Sequence, residues 1–243
     1  MMKWTAPEGS YYRLYADMAQ QTHLLIAGAA GSGKSVVING IIHALMHDTP
    51  AADRLILIDL KRVELHDYIE LPHVLAYADS VESAMGALQV ALDAIEARYA
   101  DMQRRHLRMY DGSHIYIVID ELADLMTTAK AQVTPLLQRI CQIGRGALVH
   151  VIAATQCPLA SVIPTPIKVN FSAMLGLHTR SAQDSRNIIG AKGCELLPMY
   201  GKGVYVRPGE APVKVSIPMV DDADMQRILT HWKHNTTPRR VSA

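Results

Sequence analysis

Short apolar runs alternate along this chain with longer stretches in which apolar residues recur every three or four positions. The short runs predict buried strands, because strands covered on both faces are continuously hydrophobic; they span residues 24–27, 55–58, 115–119, 148–153, 173–177 and 203–206. The periodic stretches predict helices with one apolar face, over residues 33–47, 80–109, 130–144 and 221–233. Strands that alternate with helices predict an α/β fold with a mostly parallel central sheet and helices on both of its faces.

Prolines and polar residues predict where these elements stop. Residues 158–168 contain three prolines and are predicted to form a loop. Pro135 must lie in the first turn of its helix or kink that helix, because proline lacks an N–H group. Residues 1–22 are predicted to form an edge strand and a turn, and residues 236–243 a frayed tail. The whole chain, 1–243, is predicted to fold as a single domain.

The segment after the first predicted strand fits the phosphate-loop pattern G-x-x-x-x-G-K-[ST]. Glycines let successive N–H groups turn toward a phosphate, and the following helix presents its positive end to the same anion. The residues predicted to hold the phosphates are Gly28, Ala29, Ala30, Gly31, Ser32, Gly33, Lys34, Ser35 and Val36. Lys34 would reach the β- and γ-phosphates of ATP, and the Ser35 hydroxyl would bind Mg²⁺. The alternative is a glycine-rich turn without a ligand.

Hydrolysis of a bound nucleotide also needs an acid that orders the metal and a base for the attacking water. Asp120 and Glu121 end the strand predicted at 115–119. We expect Asp120 to complete the Mg²⁺ shell and Glu121 to orient and deprotonate the water, although two acids can also follow an apolar run by accident. Gln156 ends the next core strand. It would sense the γ-phosphate through a hydrogen bond, or it is simply a polar strand end.

Three further groups of residues allow either a functional or a structural interpretation. Arg145, between two glycines, would reach the nucleotide of a neighbouring subunit and neutralise charge on the transferred phosphoryl group, or it caps a helix. Segment 59–62, Asp-Leu-Lys-Arg, leaves a predicted strand at its carboxyl end, where ligands bind in open α/β sheets, or it is a solvated strand end. Arginines in the second half of the 80–109 helix form a solvated face or contact a partner; they are Arg98, Arg104, Arg105 and Arg108.

Composition narrows the class of protein. The 243 residues are 49% hydrophobic and carry a net charge of +1, so the chain can bury a sizeable core but has no overall basic field for nucleic acid. Any DNA contact must therefore come from a local patch. Three widely spaced cysteines argue against a disulfide framework and for a reducing compartment. No apolar run approaches the ~18 residues of a membrane span, and a signal-peptide pattern is absent, so we expect a cytoplasmic protein without a membrane segment.

Taken together, these segments resemble the motor domain of FtsK/SpoIIIE-type DNA translocases over nearly the whole chain. The matching stretches are residues 17–35 (DMAQQTHLLIAGAAGSGKS), 57–73 (LIDLKRVELHDYIELPH), 118–126 (VIDELADLM), 144–158 (GRGALVHVIAATQCP), 184–189 (DSRNII) and 221–233. The most specific feature is the order of the I-D-x-K, D-E-x-A-D-L-M and A-T-Q segments. The resemblance implies a RecA-like P-loop fold, ATP hydrolysis with Mg²⁺, and hexameric rings that translocate along double-stranded DNA.

By position, the resemblance also assigns residues to these roles. The nucleotide residues of the family fall on Gly28 to Ser35, Asp120, Glu121 and Gln156, and its trans-acting arginine falls on Arg145. The arginine of its D-S-R segment, near the DNA-facing loop, falls on Arg186, and Arg180 is a second basic residue nearby. The chain departs from the family where Cys157 and Ala182 replace basic residues. Such losses remove positive charge from surfaces that would hold phosphates.

Two other functions are compatible with the same residues. A conjugation-type coupling ATPase would share the ring and the nucleotide site but pass a single DNA strand. A nucleotide-dependent assembly or regulatory protein would keep the nucleotide site and have weak DNA contacts. The three alternatives differ in which DNA, if any, stimulates ATP turnover.

Overall fold

The computed structural model describes residues 22–48, 53–159, 162–217, 219–220 and 222–235. The segment before Thr22, predicted to be an edge strand and a turn, and the tail from residue 236 lie outside the described residues. The described part contains eight strands in one sheet: β1 (His23–Ala27), β2 (Arg54–Ile58), β3 (Val74–Ala78), β4 (Ile115–Ile119), β5 (Val149–Thr155), β6 (Ala173–Gly176), β7 (Lys202–Val206) and β8 (Val213–Ser216).

The strands lie in the order β3-β2-β4-β5-β1-β6-β7-β8. From β3 to β6 every neighbouring pair is parallel, and β7 and β8 extend the sheet as an antiparallel hairpin. The predicted α/β fold with a mostly parallel sheet is therefore confirmed. The adjacent strands β4, β5 and β1 are completely buried, which explains why most of their residues are apolar.

Helices cover both faces of the sheet. They are α1 (Lys34–Asp48), α2 (Val81–Arg105), α3 (Leu122–Ile143), α4 (Thr165–Lys168), α5 (Ala182–Ile189) and α6 (Asp222–Asn235). The apolar faces of α2 and α3 pack on one side of the sheet, and α1 and α6 pack on the other. Alternate residues of each strand serve the two cores: Leu25 of β1 faces α2 and α3, whereas Leu24 and Ile26 face α1.

Several predicted boundaries were wrong. The helix expected at 130–144 begins earlier, at Leu122, and is kinked at Ala129, where the backbone is not helical. Pro135 lies after this kink, inside the helix rather than in its first turn. The loop expected at 158–168 contains the short helix α4, which begins after Pro164 because a proline near a helix N-terminus costs no hydrogen bond. The helix at 80–109 ends at Arg105, where His106 adopts a left-handed conformation.

Three further elements were not predicted. β3 is an edge strand that is only half-buried, although its five residues, Val-Leu-Ala-Tyr-Ala, are apolar. β8 is the other edge strand, and only Val215 among its residues is buried. The third element, α5, begins at Ser181, whose side chain accepts a hydrogen bond from the Asp184 N–H, and ends at Gly190. This cap and stop pair was visible in the sequence.

Candidate nucleotide site

The glycine-rich segment forms a loop between the carboxyl end of β1 and the start of α1. Gly31 and Gly33 have φ angles of 73° and 95°, in the left-handed region that favours glycine. A Cβ at Gly28 would lie 2.6 Å from Ser32 Oγ and 2.8 Å from Leu177 Cβ, so the loop passes too close to its neighbours for a side chain. The loop therefore directs its backbone toward the N-terminus of α1, as a phosphate cradle requires.

Lys34 is the first residue of α1, and its ammonium group lies in the mouth of this cradle. Nζ donates hydrogen bonds to the carbonyl oxygens of Gly28, at 3.0 Å, and Ala29, at 2.8 Å. Burial lowers the pKa of Lys34, although the negative charges of Glu121 and Asp120 oppose that shift. Lys34, Asp120 and Glu121 line the same cavity, so the phosphate loop and the acid pair lie at the same edge of the sheet.

The acid pair follows the carboxyl end of β4, two strands from the loop. The Asp120 N–H donates to the carbonyl of Ile58 at the end of β2. Asp120 is nine-tenths buried. Burial raises its pKa to about 7, and the nearby Glu64 and Asp59 add to the shift. A bound cation would reverse this effect, because it favours the ionised carboxylate.

The side chain of Glu121, the predicted base, links the end of β4 to the end of β5, which carries the predicted sensor Gln156. Its side chain caps α3 by accepting a hydrogen bond from the Ala123 N–H at 3.2 Å. The N–H of Gln156, just after β5, donates to both Glu121 carboxylate oxygens at 3.1 Å. These bonds fix the carboxylate beside Gln156 and leave lone pairs that can accept a hydrogen bond from water.

These groups line one cavity of about 820 Å³, large enough for a nucleotide. It contains the predicted residues Gly31, Ser32, Gly33, Lys34, Ser35, Val36, Asp120, Glu121 and Gln156, together with Lys61, Val63, Glu64, Tyr200, Gly201, Ile217 and Met219. Gly28, Ala29 and Ala30 line a second cavity of about 230 Å³ on the other side of the loop. The Ser35 hydroxyl and the Asp120 carboxylate are hard oxygen ligands that suit Mg²⁺ alongside phosphate oxygens and waters.

The end of the large cavity farthest from the acid pair was missed by sequence reasoning. Tyr200 and Met219 are 70% and 79% exposed there, and Ile217 follows β8. An aromatic ring and a thioether next to a phosphate cradle form a surface on which a nucleotide base can stack. These residues belong to the β7–β8 hairpin and its flanks, so only the folded sheet brings them to the loop at residues 28–33.

Arg145 lies outside the cavity of its own chain. It is exposed in the turn between α3 and β5, at the amino end of β5, whereas Gln156 follows the carboxyl end. The seven residues of β5 separate the two positions by roughly 20 Å. Arg145 therefore cannot reach the nucleotide cavity of its own chain, and its side chain is exposed to solvent.

Residues of α2 hold the turn that carries Arg145. Arg98 donates from Nη1 to the carbonyl of Ala147 at 2.6 Å and stacks 4.5 Å from the centre of the Tyr110 ring. The Tyr99 hydroxyl donates to the carbonyl of Ile143 at 2.9 Å. Arg98 is buried, so it belongs neither to a solvated face nor to a partner contact, which are the two roles considered for it from the sequence.

The two residues suggested for DNA contact have different surroundings. Arg180 lines the smaller cavity with Gly28, Gln156 and Cys157, so it lies next to the phosphate loop. Arg186 is exposed on α5 and makes two long contacts of 3.5 Å within its own helix.

Comparison with known proteins places the fold and the motifs in context. Residues 6–117 match the model of the FtsK/SpoIIIE family. The DNA translocase FtsK of Brucella melitensis is 33% identical over 94% of the chain, which spans 33% of that relative. The chain therefore covers about a third of the length of the curated relatives it matches.

Two solved structures share the fold. The pCW3 conjugation coupling protein TcpA, in its monomer form with ATPγS, has a TM-score of 0.77 at 20% identity, over 88% of this chain and 66% of that one. The plasmid coupling protein TrwB, in complex with ADP and Mg²⁺, has a TM-score of 0.54 at 13% identity, over 84% of this chain and 87% of that one. Among the described residues, no helix is long and apolar enough to cross a bilayer.

Proposed function

The chain is an FtsK/SpoIIIE-type P-loop ATPase domain, and on that premise we propose that it hydrolyses ATP with Mg²⁺ and uses the energy to move along double-stranded DNA. The observation that carries the proposal is the convergence of Lys34, Asp120, Glu121 and Gln156 on one cavity. These are the charges and hydrogen-bonding groups that phosphoryl transfer to water requires. A small-molecule kinase would have no need of an acid pair arranged to activate water.

Each residue has a distinct task in this proposal. Lys34 and the N–H groups of the loop hold the phosphates, and Ser35 and Asp120 hold Mg²⁺, which neutralises charge on the β- and γ-phosphates. Glu121 orients the attacking water and accepts its proton. Gln156, held beside Glu121 by its own N–H group, senses the γ-phosphate through its side-chain amide. A proton held on Asp120 leaves when the cation binds, because the cation stabilises the charged carboxylate.

The proposed motor is a ring in which subunits complete one another. The exposed Arg145 lies at the opposite edge of the sheet from its own cavity, so it supplies its charge to the nucleotide of a neighbour. By family resemblance the ring is a hexamer and double-stranded DNA is the partner. Arg186 and Arg180 are the proposed local DNA contacts, since the net charge of +1 provides no general attraction to DNA.

A second candidate is a conjugation-type coupling ATPase that acts on single-stranded DNA. The observation in its favour is the fold likeness to TcpA and TrwB, which are both named as coupling proteins. Sequence identity favours the translocase, because it is 33% to the Brucella melitensis FtsK and 20% or less to these two structures.

Steady-state ATP turnover with no DNA, single-stranded DNA and duplex DNA distinguishes the candidates. The proposal predicts that duplex DNA stimulates turnover several-fold and that the stimulation falls as salt rises, because phosphate contacts are screened. Stimulation by single strands alone would favour the coupling ATPase. Turnover that ignores both forms of DNA would leave a nucleotide-dependent assembly protein. A Lys34→Ala preparation, purified in parallel, gives the background rate.

A further inference from the structure

The loop after β2 is organised around one buried carboxylate, that of Asp59. Asp59 is 0% exposed. Five successive backbone N–H groups donate to its two oxygens at 2.9–3.2 Å, those of Lys61, Arg62, Val63, Glu64 and Leu65. These five hydrogen bonds fix the path of the loop, because on a different path the carboxylate would lose its N–H donors and each donor would lose a hydrogen bond. Asp59 is therefore a structural residue, and because it is fully buried it has neither of the two roles considered from the sequence, a ligand contact or a solvated strand end.

The fixed loop places its two cations in different surroundings. Lys61 lines the large cavity together with Val63 and Glu64. Arg62 has a left-handed backbone, with φ at 60°, and its side chain pairs with Asp79 at 3.1 Å. Arg62 is not among the residues that line the large cavity. The chain thus offers two neighbouring cations, of which only one points toward the proposed nucleotide site.

Lys61 is held in the cavity by a weak ion pair. Its Nζ lies 3.3 Å from Asp124 Oδ2, and the two side chains are 45% and 41% exposed. Exposed pairs of this kind contribute little free energy, so a phosphate group can take the place of Asp124. The positive charge of Lys61 also reaches the centre of the site, because it partly opposes the raised pKa of Asp120 and helps to lower the pKa of Lys34.

The sheet order shows which part of a nucleotide would lie near Lys61. The phosphate loop follows β1 in the middle of the sheet, the exposed Tyr200 and Met219 lie toward β7 and β8, and the acid pair follows β4. β2 is the parallel neighbour of β4, with Ile58 opposite Ile119. Lys61 therefore lies at the acid end of the cavity, away from the surface suited to the base.

We infer that Lys61 binds the terminal phosphate of ATP, exchanging Asp124 for the γ-phosphate beside Asp120 and Glu121, and so lets the site distinguish ATP from ADP. The inference rests on the proposed ATPase function and adds to it a second phosphate-binding cation. An ammonium on the γ-phosphate has no partner in ADP, whereas Lys34 also reaches the β-phosphate, which both nucleotides carry.

Equilibrium binding of Mg²⁺-ATPγS and Mg²⁺-ADP, measured without DNA, tests the inference. Lys61→Met should weaken ATPγS binding about 10-fold, the loss expected for one charge-assisted contact, and change ADP binding less than about 2-fold. Arg62→Met is the matched control, because it removes the neighbouring cation and its ion pair from the same loop; it should change neither affinity. Lys61→Arg should restore part of the discrimination. Asp124→Asn, which removes the competing partner, should leave ATPγS binding unchanged or strengthen it.

The possible failures are distinguishable. If Lys61→Met weakens ATPγS and ADP binding equally, or weakens neither, Lys61 forms only a surface ion pair. Either result would overturn this inference and leave the proposed ATPase function standing. A wild-type chain that binds neither nucleotide would overturn the proposed function, and this inference with it. Thermal melting of Lys61→Met and a second variant, Lys61→Gln, checks that any change in affinity is not a loss of fold.

Discussion

The two ends of the parallel strands differ in how their polar groups are used. At the carboxyl ends, Lys34, Lys61, Asp120 and Glu121 line an open cavity, and Asp120 has a raised pKa because it is buried near other acids. At the amino ends, the buried rings of His23 and His150 are hydrogen-bonded to backbone groups, and His150 also contacts the ring of His114. The difference indicates that one edge of the sheet can exchange its partners for a ligand, while the other holds a fixed shape.

Two histidines illustrate the fixed edge. The His23 ring lies 3.0 Å from the carbonyl of Cys141 and accepts a hydrogen bond from the Val151 N–H. The His150 ring contacts the carbonyl of Thr22 at 3.0 Å. Burial lowers the pKa of His23 to about 4 and that of His150 to about 3. Both rings are therefore neutral at pH 7, and this edge carries its hydrogen bonds without a change in charge.

The largest expected effect comes from removing the positive charge of Lys34 at the carboxyl edge of the sheet. Lys34→Ala should lower ATP turnover by at least about 1,000-fold, because the phosphates lose the charge that stabilises them in the transition state. Steady-state turnover measures the loss. Lys192→Ala, which removes an exposed lysine distant in sequence from the loop, should keep the wild-type rate. Unchanged turnover in Lys34→Ala would refute the site.

Glu121→Gln should lower turnover by about 100- to 1,000-fold while nucleotide binding is retained, because the amide cannot accept a proton from water. An amide oxygen can still accept the hydrogen bonds from Ala123 and Gln156, so the strand ends keep their positions. Comparison of turnover with nucleotide affinity separates these effects. Equal loss of both would mean that Glu121 serves only to hold the structure together.

Arg145→Ala changes the opposite edge of the sheet and should lower turnover at least about 10-fold with nearly unchanged nucleotide affinity, because it would act on a neighbour's transition state. The measurement is kcat alongside the equilibrium affinity for ATPγS. Complete loss of nucleotide binding would instead point to a structural role for the turn.

Tyr99→Phe should have a smaller effect on the same turn. It removes one hydroxyl and its hydrogen bond to Ile143, and a bond of about 1 kcal/mol corresponds to a kcat about 2- to 5-fold lower at constant KM. The effect should vanish in an Arg145→Ala background, where there is no arginine to position. A Tyr99→Phe effect that persists there would show that the hydroxyl acts through the fold in general.

The raised pKa of Asp120 gives an expected effect on stability rather than on turnover. Its folded-state pKa of about 7 lies above the ordinary value of 3.8, so the folded chain holds a proton that the unfolded chain releases in this window. Stability is therefore lost as pH rises from about 4 to 7. Asp120→Asn has no carboxylate to ionise. At pH 8 in EDTA its free energy of unfolding should therefore be about 1–3 kcal/mol higher than that of wild type, and near pH 4 the two should be equal. An equal difference at both pH values would contradict the assignment.

The sequence predicted the core of the carboxyl edge because its signals are local. The apolar runs of β1, β4 and β5 end directly at Gly28, Asp120 and Gln156, and parallel strands bring their carboxyl ends to one edge. The fold class followed from the same alternation of strands and helices. β3, which is half-buried at the edge of the sheet, was not predicted, and the start of α3 was predicted wrongly because this helix crosses a kink at Ala129.

Other parts of the site could not be predicted, because they depend on contacts between distant residues. Tyr200 and Met219 reach the cavity through the β7–β8 hairpin. The different surroundings of Lys61 and Arg62 depend on the loop that the five N–H groups around Asp59 hold in place. Arg98 is buried although it lies among arginines that pattern alone places on a helix surface. Side-chain orientation of this kind is fixed by tertiary packing rather than by local spacing.

The central claim is that a nucleotide at the carboxyl edge of one subunit is completed by an arginine from the amino edge of the next. It is tested most directly by mixing two variants that are each impaired in turnover. Lys34→Ala subunits keep Arg145 but lack a working cradle, and Arg145→Ala subunits have the reverse defect. In an equimolar mixed ring, roughly a quarter of the interfaces would join an intact cradle to an intact arginine. ATP turnover of the mixture should then exceed the average of the two separate preparations several-fold, whereas turnover equal to that average would contradict the account.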